Sequence, residues 1–488
     1  MKKSKRAFLI GTLLIALAGS IFSQTLDPLQ RAIQAIGGET ALERAGSASY
    51  FMVGTHNSKA VDQGYFVAKG VHHRQQETMI VDVASRTAVL RTEGINSDKS
   101  PTTWRMAVIG DVGFRKNLKS GRIIRMNAAQ AAAAYESLRW RIPQFALADM
   151  KARRDKLTCE KTRSVSLQTY DQCLFQTEAG TPFTVLFSRQ TGHIAAYEYT
   201  APTMRGPKLM RFEFKPYVLT GIGMLPSGFR FTVGGEVYRD LDLVEAAPAI
   251  LDGHPWLEKP PADSRPVSTI AAQPLAVAEE VASGVWFLRN VAGYNTMFAK
   301  VGDCVAVFDA PASYGSFGNP VPGTGGEPDR SAMIMDKVRQ VTGKKVCYVI
   351  PTHHHNDHFG GIAGFARAGA TIVTPAQSAA LAREVLRGAG LTGTPKIKIV
   401  RDRLTLGKGD ARIDIWAIGN DPHTETAVFV HLPGRHIAFE GDVADYLPSA
   451  WNFLRFVRKK GLRIDRVFSV HSRNPLRLAD LQSEEPEN

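Results

Sequence analysis

Val346-Cys347-Tyr348-Val349-Ile350-Pro351-Thr352-His353-His354-His355-Asn356-Asp357-His358-Phe359-Gly360-Gly361 is the stretch on which the reading of this chain turns. Its first five residues form a short continuous apolar run closed by a proline, the pattern of a buried strand. Every residue from Thr352 to His358 then carries a polar or metal-ligating side chain, and two glycines open the next helix. Neutral imidazoles at His353 and His355 stand two residues apart and can turn to one side toward a single cation, while Asp357 and His358 are directed elsewhere. Nitrogen and oxygen donors of this kind suit zinc. Eight of the 13 histidines lie beyond residue 350, which is more clustering than an even scatter gives.

Around this stretch the chain alternates strands, such as Cys304 to Phe308, with helical segments such as Ser331 to Thr342 and Pro375 to Arg387. That is α/β texture. Gly315 to Gly326 is a Gly/Pro-rich loop, either a flap over the site or a passive insertion. Residues 247–275 hold Pro255, Pro260, Pro261, Pro266 and Pro274 and suit an extended linker. From Ser49 to about Leu243, short runs rich in Val, Phe, Tyr and Thr are broken by turn residues at strand-like spacing, with one helical interruption from Asn127 to Leu138. Asp27 before Pro28 reads as the cap and first residue of a helix that stops at Gly37-Gly38, and a short helix from Glu39 to Ala45 follows. The pattern predicts an α+β chain of two domains, a β-rich unit over 24–246 and a second unit over 276–488.

The 488 residues, 44% hydrophobic and 22% charged with only four cysteines, exclude a disulfide-stapled miniature, a disordered chain and a coiled coil. Lys and Arg outnumber Asp and Glu by 60 to 46, a formal charge of +14 that admits nucleic acid, a membrane surface or an anionic substrate. Lys2, Lys3, Lys5 and Arg6 supply four of those charges. They precede an apolar run from Ala7 to Ala18 and small residues at Gly19, Ser20 and Ser23, so 1–23 is expected to be a cleaved secretory signal; a span needs about 20 apolar residues. The mature chain is expected to be periplasmic or secreted, with no stable membrane span. No nucleic-acid partner is expected either, since the densest basic run, Arg455, Arg458, Lys459 and Lys460, fits a solvated helical face.

His353, His355, Asp357 and His358 meet the His-x-His-x-Asp-His signature of the metallo-β-lactamase superfamily, which residues 276–488 resemble. Asn420-Asp421-Pro422-His423-Thr424, Phe439-Glu440-Gly441-Asp442 and Val467-Phe468-Ser469-Val470-His471 are similar to the later ligand segments of that family, in order, although Ser472 stands where the family commonly has glycine. The resemblance implies an αββα metallo-β-lactamase-type sandwich. It also implies one metal on His353, His355 and His423, a second on Asp357, His358 and His471, and Asp442 between them. Two Zn2+ ions are expected, with Fe or Mn as alternatives. Asp309, ending the strand Val305 to Phe308, takes the place of the family's aspartate that orients a ligand by hydrogen bonding, or is an ordinary strand-terminal cap. His354, His431 and His436 are read as structural, the last two flanking a turn at Pro433-Gly434.

The resemblance further implies a dinuclear zinc-dependent hydrolase in which a metal-bridging hydroxide, oriented by the catalytic Asp357, attacks an ester, lactone, thioester or similar small-molecule substrate. His355 argues against the oxygen-reducing diiron relatives, which carry glutamate there, and Asp442 argues against dedicated lactamases. The alternatives are a mononuclear iron, sulfur-oxidising enzyme of the same fold and an envelope lipid-binding protein with a vestigial hydrolase domain. Ala32 to Gly38 and Phe183 to Gly192 resemble periplasmic lipoprotein carriers, which fold as an open half-barrel. That implies either a concave sheet for a hydrophobic or acyl ligand or a β domain that only packs on the enzyme. Cys159 and Cys173, 14 residues apart, are a candidate disulfide that would contribute about 3 kcal/mol. Cys304 and Cys347 fall on strands that this fold would place close together and are read as buried thiols.

Overall fold

The computed structural model describes residues 27–478, except 67–71, 96–100, 119–122, 127, 178–179, 181, 261–276, 292–293, 313–328, 420, 443–446 and 472–474. The expected signal 1–23, the loop Gly315 to Gly326, the later part of the expected linker, Asn420 and Ser472 lie outside the described residues. Among the described residues no helix is long and apolar enough to cross a membrane.

Asp27 opens the first helix, Pro28–Ala35, by accepting from the backbone N–H groups of Leu29 and Gln30 at 2.9 and 3.1 Å. Pro28 suits the first helical position because that N–H has no partner inside a helix. The second helix, Gly38–Ala45, leads into a 13-stranded antiparallel sheet running from Ser47 to Pro248. Its first strand, Ser47–His56, pairs with His73–Asp82 on one side and with the last strand, Glu236–Pro248, on the other, so the two ends of this region meet in mid-sheet. The expected helical interruption is Ala128–Arg139, and a second helix, Pro143–Ala152, follows it. That second helix is not legible in the pattern. Pro143, Phe145, Leu147 and Met150 are buried, and so are Gln144 and Asp149, leaving no polar stripe to mark a helical period. Cys159 and Cys173 lie directly opposite each other on neighbouring strands and are joined as a disulfide.

After residue 276 the chain forms a seven-stranded sheet from Val277 to Val400 and a six-stranded sheet from Arg403 to Arg477. One core joins them. Ala306, Phe308, Ile350 and Val373 of the first sheet pack with Ile415, Val428, Val430, Phe439 and Phe468 of the second. Val305 and Val307, one residue out of phase, point the other way onto Ile334 and Val338 of the helix Arg330–Thr342 and onto Leu381 and Val385 of the helix Ala379–Gly388. Alternation of this kind is what lets one strand serve two layers. Trp416, Phe429 and Val467 likewise turn outward from the second sheet onto Phe453 and Val457 of the helix Leu447–Lys460. Cys304 and Cys347 correct the expectation of free thiols: their strands are parallel neighbours, their Cα atoms lie 5.8 Å apart, and they form a second disulfide.

Two segments of the β-rich region dock on the helix Ala379–Gly388. Met204 enters the core beneath that helix. Asp62 holds it there, accepting from the Met204 N–H at 2.6 Å. Tyr65 donates its hydroxyl to Glu384 at 2.9 Å, and a side chain at Gly388 would collide with the backbone of Arg205.

Candidate metal centre

Both sheets deliver their site residues from the carboxyl ends of parallel strands. Cys304–Phe308 ends at Asp309, and Val346–Ile350 ends at the Thr352 to His358 loop. Ile437–Glu440 ends at Asp442, and Arg466–Ser469 ends at His471. His423 comes from the connection between Ile413–Ala417 and Val428–Leu432. Parallel strands place their following loops at one edge, where these four strand ends and the His423 loop meet.

The structure brings all seven expected ligand residues together. His353, His355, His423 and Asp442 offer donor atoms within 4.8 Å of one another, as do Asp357, His358 and His471. Asp442 spans the two sets. Its Oδ2 lies 3.1 Å from His423 Nε2 and 3.7 Å from His353 Nε2, and its Oδ1 lies 3.1 Å from His358 Nε2 and 3.0 Å from His471 Nε2. Asp357 Oδ2 stands 3.5 Å from both His358 Nε2 and His471 Nε2. Ligands about 2.0 Å from a tetrahedral zinc are separated by about 3.3 Å, the spacing these atoms already have. The buried Asp357 Oδ1, His358 Nε2 and Asp442 Oδ1 make no hydrogen bond, although His358 Nε2 and Asp442 Oδ1 are within reach of each other. Close approach without hydrogen-bond alignment suits two ligands of one cation, and the donor set fits divalent metal.

Charge distributes unevenly across the centre. Burial, reinforced by neighbouring histidines, pushes His353 and His355 well below the usual imidazole range, so they are neutral, the ligating form. Burial also opposes charge on His358, His423 and His471, but the carboxylate of Asp442 outweighs it and raises all three, His471 to about 10. Burial opposes the carboxylates of Asp357 and Asp442 too, yet His358 beside them holds both below the ordinary range.

Asp309, completely buried, accepts from His358 Nδ1 at 2.6 Å and from the Thr352 N–H at 2.9 Å, which leaves His358 Nε2 facing the other donors. It sits at φ +85°, a conformation costly for a residue with a Cβ, by about 1–3 kcal/mol. Gly441 is required for a different reason: a Cβ there would strike the Thr352 hydroxyl and Nδ1 of His353. Sequence reasoning assigned no role to Asp421, Thr424, Thr426 or Tyr294. Asp421 accepts from the His423 N–H at 2.9 Å and from the Ser449 hydroxyl at 2.6 Å, anchoring the His423 loop to the helix Leu447–Lys460. An aspartate two residues before the histidine is an Asx-turn signal that could have revealed it. The Tyr294 ring packs 5.6 Å from that of His471, a contact no local pattern encodes.

Of the eight histidines beyond residue 350, three stay out of the centre. His354 is buried with Nδ1 2.9 Å from Thr424 Oγ1 and 3.0 Å from Thr426 Oγ1. His431 Nε2 lies 3.1 Å from the Arg463 carbonyl, and His436 Nδ1 lies 3.2 Å from Asp465.

Residues 322–457 match the family model of the metallo-beta-lactamase superfamily. Most of its members are metal-dependent hydrolases. Among solved structures the chain is similar to a metallo-beta-lactamase from Pontibacter korlensis, with 18% identity over 42% of this chain and 95% of that one and a TM-score of 0.32. It is also similar to a metallo-beta-lactamase from Erythrobacter litoralis with beta mercaptoethanol in the active site, with 20% identity over 43% and 93% of the two chains and a TM-score of 0.31. A third is FIM-1 from Pseudomonas aeruginosa in the mono-zinc form, with 16% identity over 44% and 95% and a TM-score of 0.32. No curated protein sequence matches the chain.

Proposed function

We propose that residues 276–488 form a dinuclear zinc-dependent hydrolase, layered αββα, that acts on an ester, lactone, thioester or similar small molecule. The observation that carries this reading is the Asp442 carboxylate, which turns one oxygen to each of two complete donor sets. A bound pair of divalent cations supplies a water nucleophile near neutral pH and polarises the bond to be cleaved. The chain does the rest. His353, His355 and His423 hold one side, Asp357, His358 and His471 the other, and Asp309 fixes the ring of His358. Asp357 keeps Oδ1 clear of hydrogen bonds while Oδ2 faces two histidines, so it can orient the attacking water and hold its proton. No cysteine serves as nucleophile, since all four are in disulfides.

The two disulfides, together with the basic and apolar opening of the chain, support an exported, oxidising location. The β-rich region is read as a partner packed on the hydrolase, where Met204 and Tyr65 dock. The test is metal analysis of the purified chain beside a panel of chromogenic esters, lactones, thioesters, phosphodiesters and lactams. Close to two zinc per chain, with hydrolysis lost in His355→Ala, supports the reading. One iron with oxygen consumption moves the assignment to sulfur oxidation, and a chain that takes up no divalent metal overturns it.

A further inference from the structure

The seam between the two regions reaches the loop of the metal centre at Phe66. Phe66, carried by the β-rich region just after Tyr65, lays its ring edge-to-face against His354, with centroids 4.6 Å apart and planes at 82°. His354 lies between the expected ligands His353 and His355 but turns away from them. Its backbone N–H donates to Thr426 Oγ1 at 3.0 Å, its Nδ1 meets Thr424 Oγ1 and Thr426 Oγ1, and these two hydroxyls lie 3.2 Å apart. Thr424 is the residue after His423. All three members of this small network are buried, with exposures of 2%, 3% and 1% for His354, Thr424 and Thr426.

From these contacts we infer that Phe66 is a positioning residue of the metal centre, which makes the β-rich region part of the site. By covering His354 it keeps water from competing for the threonine hydroxyls, and buried hydrogen bonds strengthen when water is excluded. The locked His354 then ties the loop bearing His423 to the loop bearing His353 and His355. Those three imidazoles supply one donor set from two loops, and His354 is the cross-tie that fixes their separation. Residues that orient ligands without touching the metal change affinity by about 10–100-fold when removed.

The inference rests on the metal reading proposed above, and one experiment separates the two. Full-length chain is stripped of metal and titrated with Zn2+ against a chromophoric chelator, and with Co2+ to follow the visible spectrum. The wild type is compared with Phe66→Ala, Phe66→Leu, Thr426→Val and Glu384→Gln. Failure of the wild type to bind overturns the metal reading itself.

If the wild type binds, Phe66→Ala is expected to weaken one of the two zinc affinities about tenfold and to alter the cobalt spectrum. Phe66→Leu, which keeps an apolar cover, should recover affinity to within about threefold. Thr426→Val, cutting the tie from the other side, should reproduce the loss, and the double variant should be no weaker than the worse single one. Glu384→Gln, which removes the charge beside Tyr65 but keeps an acceptor for its hydroxyl and leaves the Phe66 ring on His354, should leave affinity unchanged. Unchanged affinity in Phe66→Ala contradicts the inference, as does an equal loss in Glu384→Gln. Should Phe66→Ala fail to fold, wild-type affinity in Thr426→Val contradicts it instead.

Discussion

Two buried charged clusters in this chain behave in opposite ways. In the β-rich region Glu77 is wholly buried and both of its oxygens are engaged: Oε1 accepts from Gln75 and from Arg239, and Oε2 accepts from Arg141. In the C-terminal region Asp357 is also buried and Asp442 is half-buried, yet each keeps an oxygen that makes no hydrogen bond, among imidazoles whose nitrogens point at them and at one another. The first arrangement closes on itself and holds strands together. The second is a set of donors arranged around a common point, stable only if protons or cations lie between them. Buried charge alone therefore does not mark a functional site; the direction of the lone pairs does.

The comparison breaks most sharply at Asp442. Asp442→Asn removes the carboxylate shared by both donor sets, and is expected to lower hydrolysis on the order of 10³-fold and bound zinc below one per chain. Metal analysis and initial rates check this. Glu77→Gln should do the reverse. It leaves two buried guanidinium groups short of a counter-charge and is expected to cost about 3–5 kcal/mol in denaturant unfolding, with zinc content unchanged. A variant that loses metal as well as stability would mean the two clusters are not independent.

Smaller effects sharpen the contrast. Asp309→Asn keeps the shape but replaces the carboxylate that accepts from His358 Nδ1, and should weaken zinc by about 10–100-fold in a chelator titration. Acid should act on the metal-binding cluster in two senses. With metal present, protons compete for His471, raised to about 10, and for His358, so affinity should fall by about tenfold per pH unit for each proton displaced as the medium becomes more acid. Without metal the raised histidines favour folding below their unfolded value of about 6.5, and His471 loses that contribution as pH rises through about 10. The depressed Asp357 and Asp442 contribute above about pH 4 and lose it on acidification. Thermal unfolding of metal-free and zinc-loaded chain across pH 5 to 10 should therefore show opposite trends above neutrality.

Much of the site was legible because its chemistry is local. His353, His355, Asp357 and His358 occupy one loop, and the segments ending at Asp442 and His471 were placed by their resemblance to the later ligand segments of the metallo-β-lactamase superfamily. The strands Cys304–Phe308 and Val346–Ile350 were equally plain, as uninterrupted apolar runs. What stayed hidden is what depends on packing. The helix Pro143–Ala152 is covered on nearly every side and so lacks an amphipathic period. The resemblance already placed the Cys304 and Cys347 strands close together, but whether the two thiols face each other at bonding distance is set by packing, and Phe66 meets His354 across 288 positions of chain. No pattern along the sequence carries such pairings.

The most direct test is crystallographic. Anomalous diffraction from zinc-loaded crystals, recorded on both sides of the zinc absorption edge, should show two peaks about 3.5–4 Å apart, with the Asp442 carboxylate between them and His355 and His471 on opposite sides. A single peak, or peaks lying away from Asp442, would contradict the dinuclear account.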